Sequence, residues 1–143
     1  MKLVYFLILV TVFSAACVPV RHTTVPSLHV AADFPIGSSI RLNELRRDDT
    51  ARSIQQRHFN SFTSGLDMKM NKVMPRENTY DWSEIDEIVA YTQKHDQRLF
   101  GHNLIWHSST PKWVVEKAKQ DPQWLDVFMR EYIQTYVGRY KGI

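Results

Sequence analysis

Arg98-Leu99-Phe100-Gly101-His102-Asn103-Leu104-Ile105-Trp106 is the stretch on which the fold turns. Its apolar residues run almost without a break instead of alternating with polar ones. A strand with one face in water alternates; a strand covered on both faces does not, and such strands belong to parallel sheets packed between helices. The pattern therefore predicts a buried strand over residues 98–106.

Helical signals stand on both sides of it. Upstream, Trp82, Ile85, Ile88 and Val89 recur at helical spacing on one face. Asp81 and Glu84 form a capping-box-like pair at the start of that helix. Lys94 and His95 suit its carboxyl end. Downstream, Asp121-Pro122 opens a last helix with proline in the first turn. Trp124, Leu125, Phe128, Met129, Tyr132, Ile133, Tyr136 and Val137 then repeat as adjacent pairs every four residues, a wide stripe that reads as a core-facing surface. Further upstream, residues 59–63 read as a second strand. Asp49-Thr50 caps a helix over 51–58, and residues 34–40, with Gly37 inside, read as the first strand. Ser64-Gly65 ends the second strand, and a loop follows to Pro75.

Strand and helix thus alternate three times, which implies βαβ units and a parallel sheet. Such a sheet needs helices on both faces or closure into a barrel. Three strands cannot close a barrel, and residues 139–143 (RYKGI) look like the approach to a fourth. The 143 residues also fall short of the roughly 250 of a (β/α)8 barrel. The expected architecture is α/β: an incomplete barrel of about three βα units.

Composition narrows the function classes. The chain is 43% apolar, 12% aromatic and 23% charged, which argues against disorder. Eighteen Lys and Arg against fifteen Asp and Glu give +3, scattered along the chain, so no nucleic-acid groove is expected. A single cysteine rules out an internal disulfide framework, and no Cys/His group has zinc-finger spacing. His102 and His107, five apart on a strand, would face opposite ways, which argues against a shared metal and leaves His107 structural. Nothing supports a calcium, flavin, nucleotide or other cofactor.

The first residues read as an address. Lys2 precedes the apolar run LVYFLILVTVF (3–13), and Ser14-Ala15-Ala16 supplies small residues before Cys17. This is the pattern of a secretory signal, and the run is short of the ~20 residues of a membrane span. Cys17 resembles the lipidated cysteine of bacterial lipoproteins. The expected organisation is a signal peptide over 1–16, a linker over 17–33 and a domain over 34–143. The expected place is outside the cell or in its envelope, with a lipid on Cys17 as the membrane contact.

In parallel α/β folds, chemistry sits at the carboxyl ends of the strands. Here those ends hold residues 63–69 and 101–110. The second segment, Gly101-His102-Asn103-Leu104-Ile105-Trp106-His107-Ser108-Ser109-Thr110-Pro111-Lys112-Trp113, resembles the third-strand signature of glycoside hydrolase family 10, the endo-1,4-β-xylanases. Residues 34–40 are similar to that family's first strand and His58-Phe59-Asn60-Ser61 to its second. Met68-Lys69 and Pro75 match the following loop, and Val137-Gly138-Arg139-Tyr140-Lys141-Gly142 the turn into the fourth strand.

The resemblance implies roles. His102 would hydrogen-bond the sugar just on the non-reducing side of the cleavage point, Trp106 would line that subsite with its ring, and Lys69 would donate to sugar hydroxyls there. The ligand would be β-1,4-xylan or a xylo-oligosaccharide. Both catalytic carboxylates of the family, on its fourth and seventh strands, would lie beyond Ile143, so no residue here is assigned a catalytic role. Departures stand at Gly65 and Leu66, where the family carries a carboxylate and an amide that grip the next sugar out. Ser109 replaces a glutamine of similar role, Met70 an aromatic, and Asp67 a glutamate and is read as structural. Two functions follow: the first part of a retaining xylan hydrolase, completed by further sequence or by a complementary carboxyl-terminal chain, or a non-catalytic glycan-binding surface lipoprotein or inactive gene fragment.

Overall fold

The computed structural model describes residues 25–143. The signal-like residues 1–16, Cys17 and the first part of the 17–33 linker lie outside the described residues. From residue 25 to the first strand the chain forms turns only.

Three strands form one parallel sheet in the order β1 (Gly37–Ile40), β2 (Ser61–Ser64), β3 (Arg98–Phe100). Gly37 pairs with Ser61 and Ile40 with Ser64; Ser61 pairs with Arg98 and Thr63 with Phe100. Six α-helices accompany them: α1 (Leu42–Arg47), α2 (Asp49–His58), α3 (Met70–Val73), α4 (Ser83–Lys94), α5 (Lys112–Gln120) and α6 (Pro122–Arg139).

The strands are shorter than the sequence predicts, for local reasons. Residues 34–36 do not join β1: Pro35 has no N–H to give a ladder, and the Ile36 N–H goes to the Asn60 side chain at 2.8 Å. Phe59 does not open β2, because its N–H closes helix α2 on the Gln55 carbonyl at 3.3 Å. The largest difference is at β3, expected over 98–106 and ended after Phe100. Leu104 and Ile105 pack against the helical core instead. Nor is β3 covered on both faces: Phe100 is 52% exposed. The reading of His102 and His107 on opposite faces of a strand falls with it, since neither lies in one.

The helices show where short-range chemistry prevails. α6 begins as predicted, with the Asp121 carboxylate accepting from the Gln123 and Trp124 N–H groups at 3.1 Å each and Pro122 in the first turn. α2 is capped by Asp48, not by the predicted Asp49-Thr50 pair; the Asp48 carboxylate takes the Thr50 and Ala51 N–H groups at 2.9 Å. At α4 the predicted reciprocal box does not form. Asp81 takes both the N–H and hydroxyl of Ser83, and Glu84 turns to Lys72 at 3.8 Å. α1, α3 and α5 are not foreseen; they have six, four and nine residues, too few to show a clear period.

Two apolar clusters flank the sheet. Leu42, Leu45, Phe62 and Ile88 form the smaller one, with Ile40, Tyr91 and Leu99 around it. Met68, Met70, Val73, Met74, Ile85, Val89, Val114, Phe128, Tyr132 and Tyr136 form the larger. The α6 stripe is split: Phe128, Tyr132 and Tyr136 are buried, whereas Ile133 and Val137 are exposed. Buried polar groups tie α2 to the sheet. Gln97 Nε2 donates to the carbonyls of Gln55 at 3.1 Å and Phe59 at 2.8 Å, and the Ser38 hydroxyl meets Gln55 Oε1.

Candidate functional site

The carboxyl end of β2 is built to hold a buried lysine. Asp67 is buried and structural, as its place in the sequence suggested. Its carboxylate accepts from the Leu42 N–H at 3.0 Å and the Ser64 hydroxyl at 2.8 Å. The Ser64 oxygen accepts in turn from the Asp67 N–H at 3.0 Å. Tyr136 on α6 donates its hydroxyl to the Met68 carbonyl at 3.3 Å. Lys69 then stands at the start of α3, its carbonyl accepting from Lys72 and Val73. The loop therefore has little freedom, and Lys69 is only 3% exposed.

Its ammonium meets the segment that follows β3. Lys69 Nζ lies 2.8 Å from His102 Nδ1, 3.0 Å from Asn103 Oδ1 and 3.3 Å from the His102 carbonyl. An ammonium has three protons and no lone pair, so these three acceptors use it fully. The same fact sets the tautomer of His102. Nδ1 must accept, so the neutral ring carries its proton on Nε2, which is left as a donor. Among the described residues no carboxylate offsets the lysine, and burial pushes its ammonium below the usual lysine range.

Trp106 completes the cluster. Its ring centre lies 5.2 Å from Lys69 Nζ, and the residue is 41% exposed. Lys69, His102 and Trp106, spread over residues 69–106 of the sequence, are thus brought to one place. Asn103 joins them with no role assigned from the sequence. Its signal was its position inside the stretch that decided the fold, next to His102. Its amide also donates to the Ile105 carbonyl at 3.2 Å, which shapes the turn.

The substituted positions separate into surface and core. Leu66 is exposed, while Met70 and Ser109 are buried, Met70 in the larger apolar cluster and Ser109 in a short 3-10 turn. His107 opens that turn, exposed, with its ring edge-on to Trp106 at 5.9 Å. Among the described residues no three His, Cys, Asp or Glu side chains gather as a metal site would require.

Comparison with known proteins bears on the family and the fold. Residues 27–143 match the sequence profile of "Glycosyl hydrolase family 10". Endo-1,4-beta-xylanase B of Paenibacillus barcinonensis is 34% identical over 124 residues, covering 83% of this chain and 36% of that protein. A beta-1,4-xylanase of Dictyoglomus thermophilum is 34% identical over 110 residues, 76% of this chain and 29% of that protein. The chain thus spans about a third of the length of these relatives. Among solved structures, the family 10 protein of Paenibacillus barcinonensis superposes with a TM-score of 0.72 at 32% identity, covering 82% of this chain and 36% of that one. A variant of Xylanase10C from Cellvibrio japonicus, solved in complex with xylopentaose, gives 0.74 at 25% identity, covering 82% and 25%. The three parallel strands and their helices are the first βα units of an incomplete (β/α)8 barrel, and the chain belongs to glycosyl hydrolase family 10.

Proposed function

We propose that this chain supplies the non-reducing side of a xylan-binding groove in an endo-1,4-β-xylanase-like hydrolase. The observation that carries the reading is the Lys69–His102–Asn103 cluster beside the exposed Trp106 ring at the carboxyl end of the sheet. The His102 Nε2–H donates to a sugar hydroxyl, and Trp106 packs on a C–H face of the same ring. Lys69 acts on the sugar chiefly through His102. It reaches a hydroxyl directly where one replaces the 3.3 Å contact to the His102 carbonyl, the longest of its three.

Cleavage with retention needs two carboxyl groups about 5–5.5 Å apart. We assign both to later βα units of the barrel, in a longer form of the protein or a complementary chain. Four carboxylates of the first units are engaged elsewhere. Asp67 and Asp81 hold backbone N–H groups, and Asp86 and Glu87 pair with Arg139 and Arg46. Residues 17–143 alone are expected to bind xylo-oligosaccharides and to release no reducing sugar from xylan. Titration with xylohexaose, followed by tryptophan fluorescence, should give a saturable change that Trp106→Ala and His102→Ala each weaken at least tenfold. Reducing-sugar release by the chain alone, abolished by mutating one of its own carboxylates, would overturn the placement of the catalytic groups. Export with lipid attachment at Cys17 is part of the same reading. A fatty-acid probe should label the protein in cells and fail to label Cys17→Ala.

A further inference from the structure

Gly65 is the first residue past β2, and Arg41 is the first past β1, so the two are neighbours at the rim that carries Lys69 and His102. A side chain at position 65 would meet Arg41 Cγ at 3.1 Å and the Arg41 nitrogen at 3.7 Å. The aliphatic stem of Arg41 therefore lies over the bare glycine and fills the space a residue-65 side chain would take. Arg41 is exposed, and among the described residues it enters no ion pair, while nearby Arg46 and Arg52 are paired with Glu87 and Asp49. Two neighbouring carboxylates are taken up by backbone and hydroxyl donors. Glu44 accepts from the Arg41 backbone N–H at 3.1 Å, and Asp67 is buried on Leu42 and Ser64. Leu66, beside the pair, is exposed and makes no hydrogen bond through its side chain.

The distance from this pair to His102 is set by the sheet. Adjacent strands are about 4.8 Å apart, so the ends of β1 and β3 lie about 10 Å from each other, far enough to seat a further sugar beyond the one at His102. At that place the chain carries the stem of Arg41, whose guanidinium makes no hydrogen bond among the described residues, where the resemblance leads one to expect a carboxylate. A guanidinium matches a carboxylate with two parallel hydrogen bonds and offers nothing to a neutral hydroxyl that needs an acceptor.

We infer that Arg41 makes the distal part of the groove a subsite for a sugar carboxylate, so that the chain selects xylo-oligosaccharides bearing a uronic acid branch over unbranched ones. This rests on the reading that Lys69, His102 and Trp106 hold a neutral xylose. Arg41 is a specificity residue and takes no part in the chemistry.

The experiment is a set of fluorescence titrations of the full chain at low salt. The ligands are xylohexaose, xylohexaose carrying one glucuronic acid branch, and trigalacturonic acid, with Arg41→Gln and His102→Ala as variants. The branched hexamer should bind about fivefold tighter than the neutral one, the scale of one partly exposed charge pair. Arg41→Gln should remove that preference and leave xylohexaose affinity unchanged. His102→Ala should weaken both hexamers alike. Equal affinity for the two hexamers, or a preference that survives Arg41→Gln, overturns the inference while leaving the xylose reading intact. Tighter binding of trigalacturonic acid than of the branched hexamer overturns the assignment to a branch on xylan. Failure of the parent chain to bind xylohexaose overturns the xylose reading, and the inference falls with it.

Discussion

A single buried lysine shows how this site trades stability for placement. Among the described residues Lys69 is held by three neutral acceptors and no carboxylate, so its charge is desolvated with no opposite charge beside it. Its pKa is lower folded than unfolded. Over the interval between the two values the unfolded chain binds more protons, so stability rises with pH there and the full penalty is present below it. Lys69→Met should keep the shape of the stem and remove the charge. We expect it to raise folding stability at neutral pH, because the desolvation penalty goes with the charge. It should also abolish the alkaline rise in stability and weaken xylohexaose binding at least tenfold, because His102 loses the donor that fixes its tautomer. Denaturant unfolding from about pH 7 to the ordinary lysine pKa near 10.4, run beside the titration, checks all three.

At the scale of one helix, α6 carries two buried tyrosines that differ only in what their hydroxyls meet. Burial pushes both well above the usual tyrosine range. Tyr136 donates to the Met68 carbonyl and so ties α6 to the loop that positions Lys69. The Tyr132 hydroxyl is buried without a partner among the described residues. Tyr136→Phe should therefore cost about 1 kcal/mol, the net value of one hydrogen bond. It should also weaken sugar binding modestly by loosening the loop. Tyr132→Phe removes an unsatisfied group and should leave stability unchanged or raise it. A lowered thermal midpoint for the first variant and an unchanged or raised one for the second are the expected outcome. Tyr140, just past the end of the same helix, is pushed up to about 12, first by burial and then by its bond to Asp86.

For the molecule as a whole, the open side of the sheet dominates. Leu99, Leu104, Val137 and Ile143 line an apolar cavity of about 410 Å³ beside β3, and Phe100 and Val137 are each more than half exposed. An unpaired strand edge with apolar surface invites association. The 17–143 chain in isolation should bind the dye ANS and associate as its concentration rises. Val137→Ser should reduce both without affecting sugar affinity. Cooperative unfolding of a dispersed, dye-free monomer would contradict this account.

The βα alternation, the Asp121 cap with Pro122, and the stretch holding His102 and Trp106 were all legible in the sequence. Each is a local matter: periodicity, cap chemistry, or residue types within one short run. The end of β3, the box at α4 and the short helices were not, because each depends on which partner wins a hydrogen bond. Asp81 chose Ser83, and the chain after Phe100 left the ladder to bring His102 and Asn103 to Lys69. A lone lysine in a sequence is most often solvated, and only the family resemblance singled out Lys69. The sequence by itself determined the class of fold and the residues present at the rim. Only the tertiary structure decided that Lys69 is buried, that its protons belong to His102 and Asn103, and that Arg41 lies over Gly65. Those are contacts between segments far apart in the chain, set by strand register and helix packing, and no local pattern encodes them.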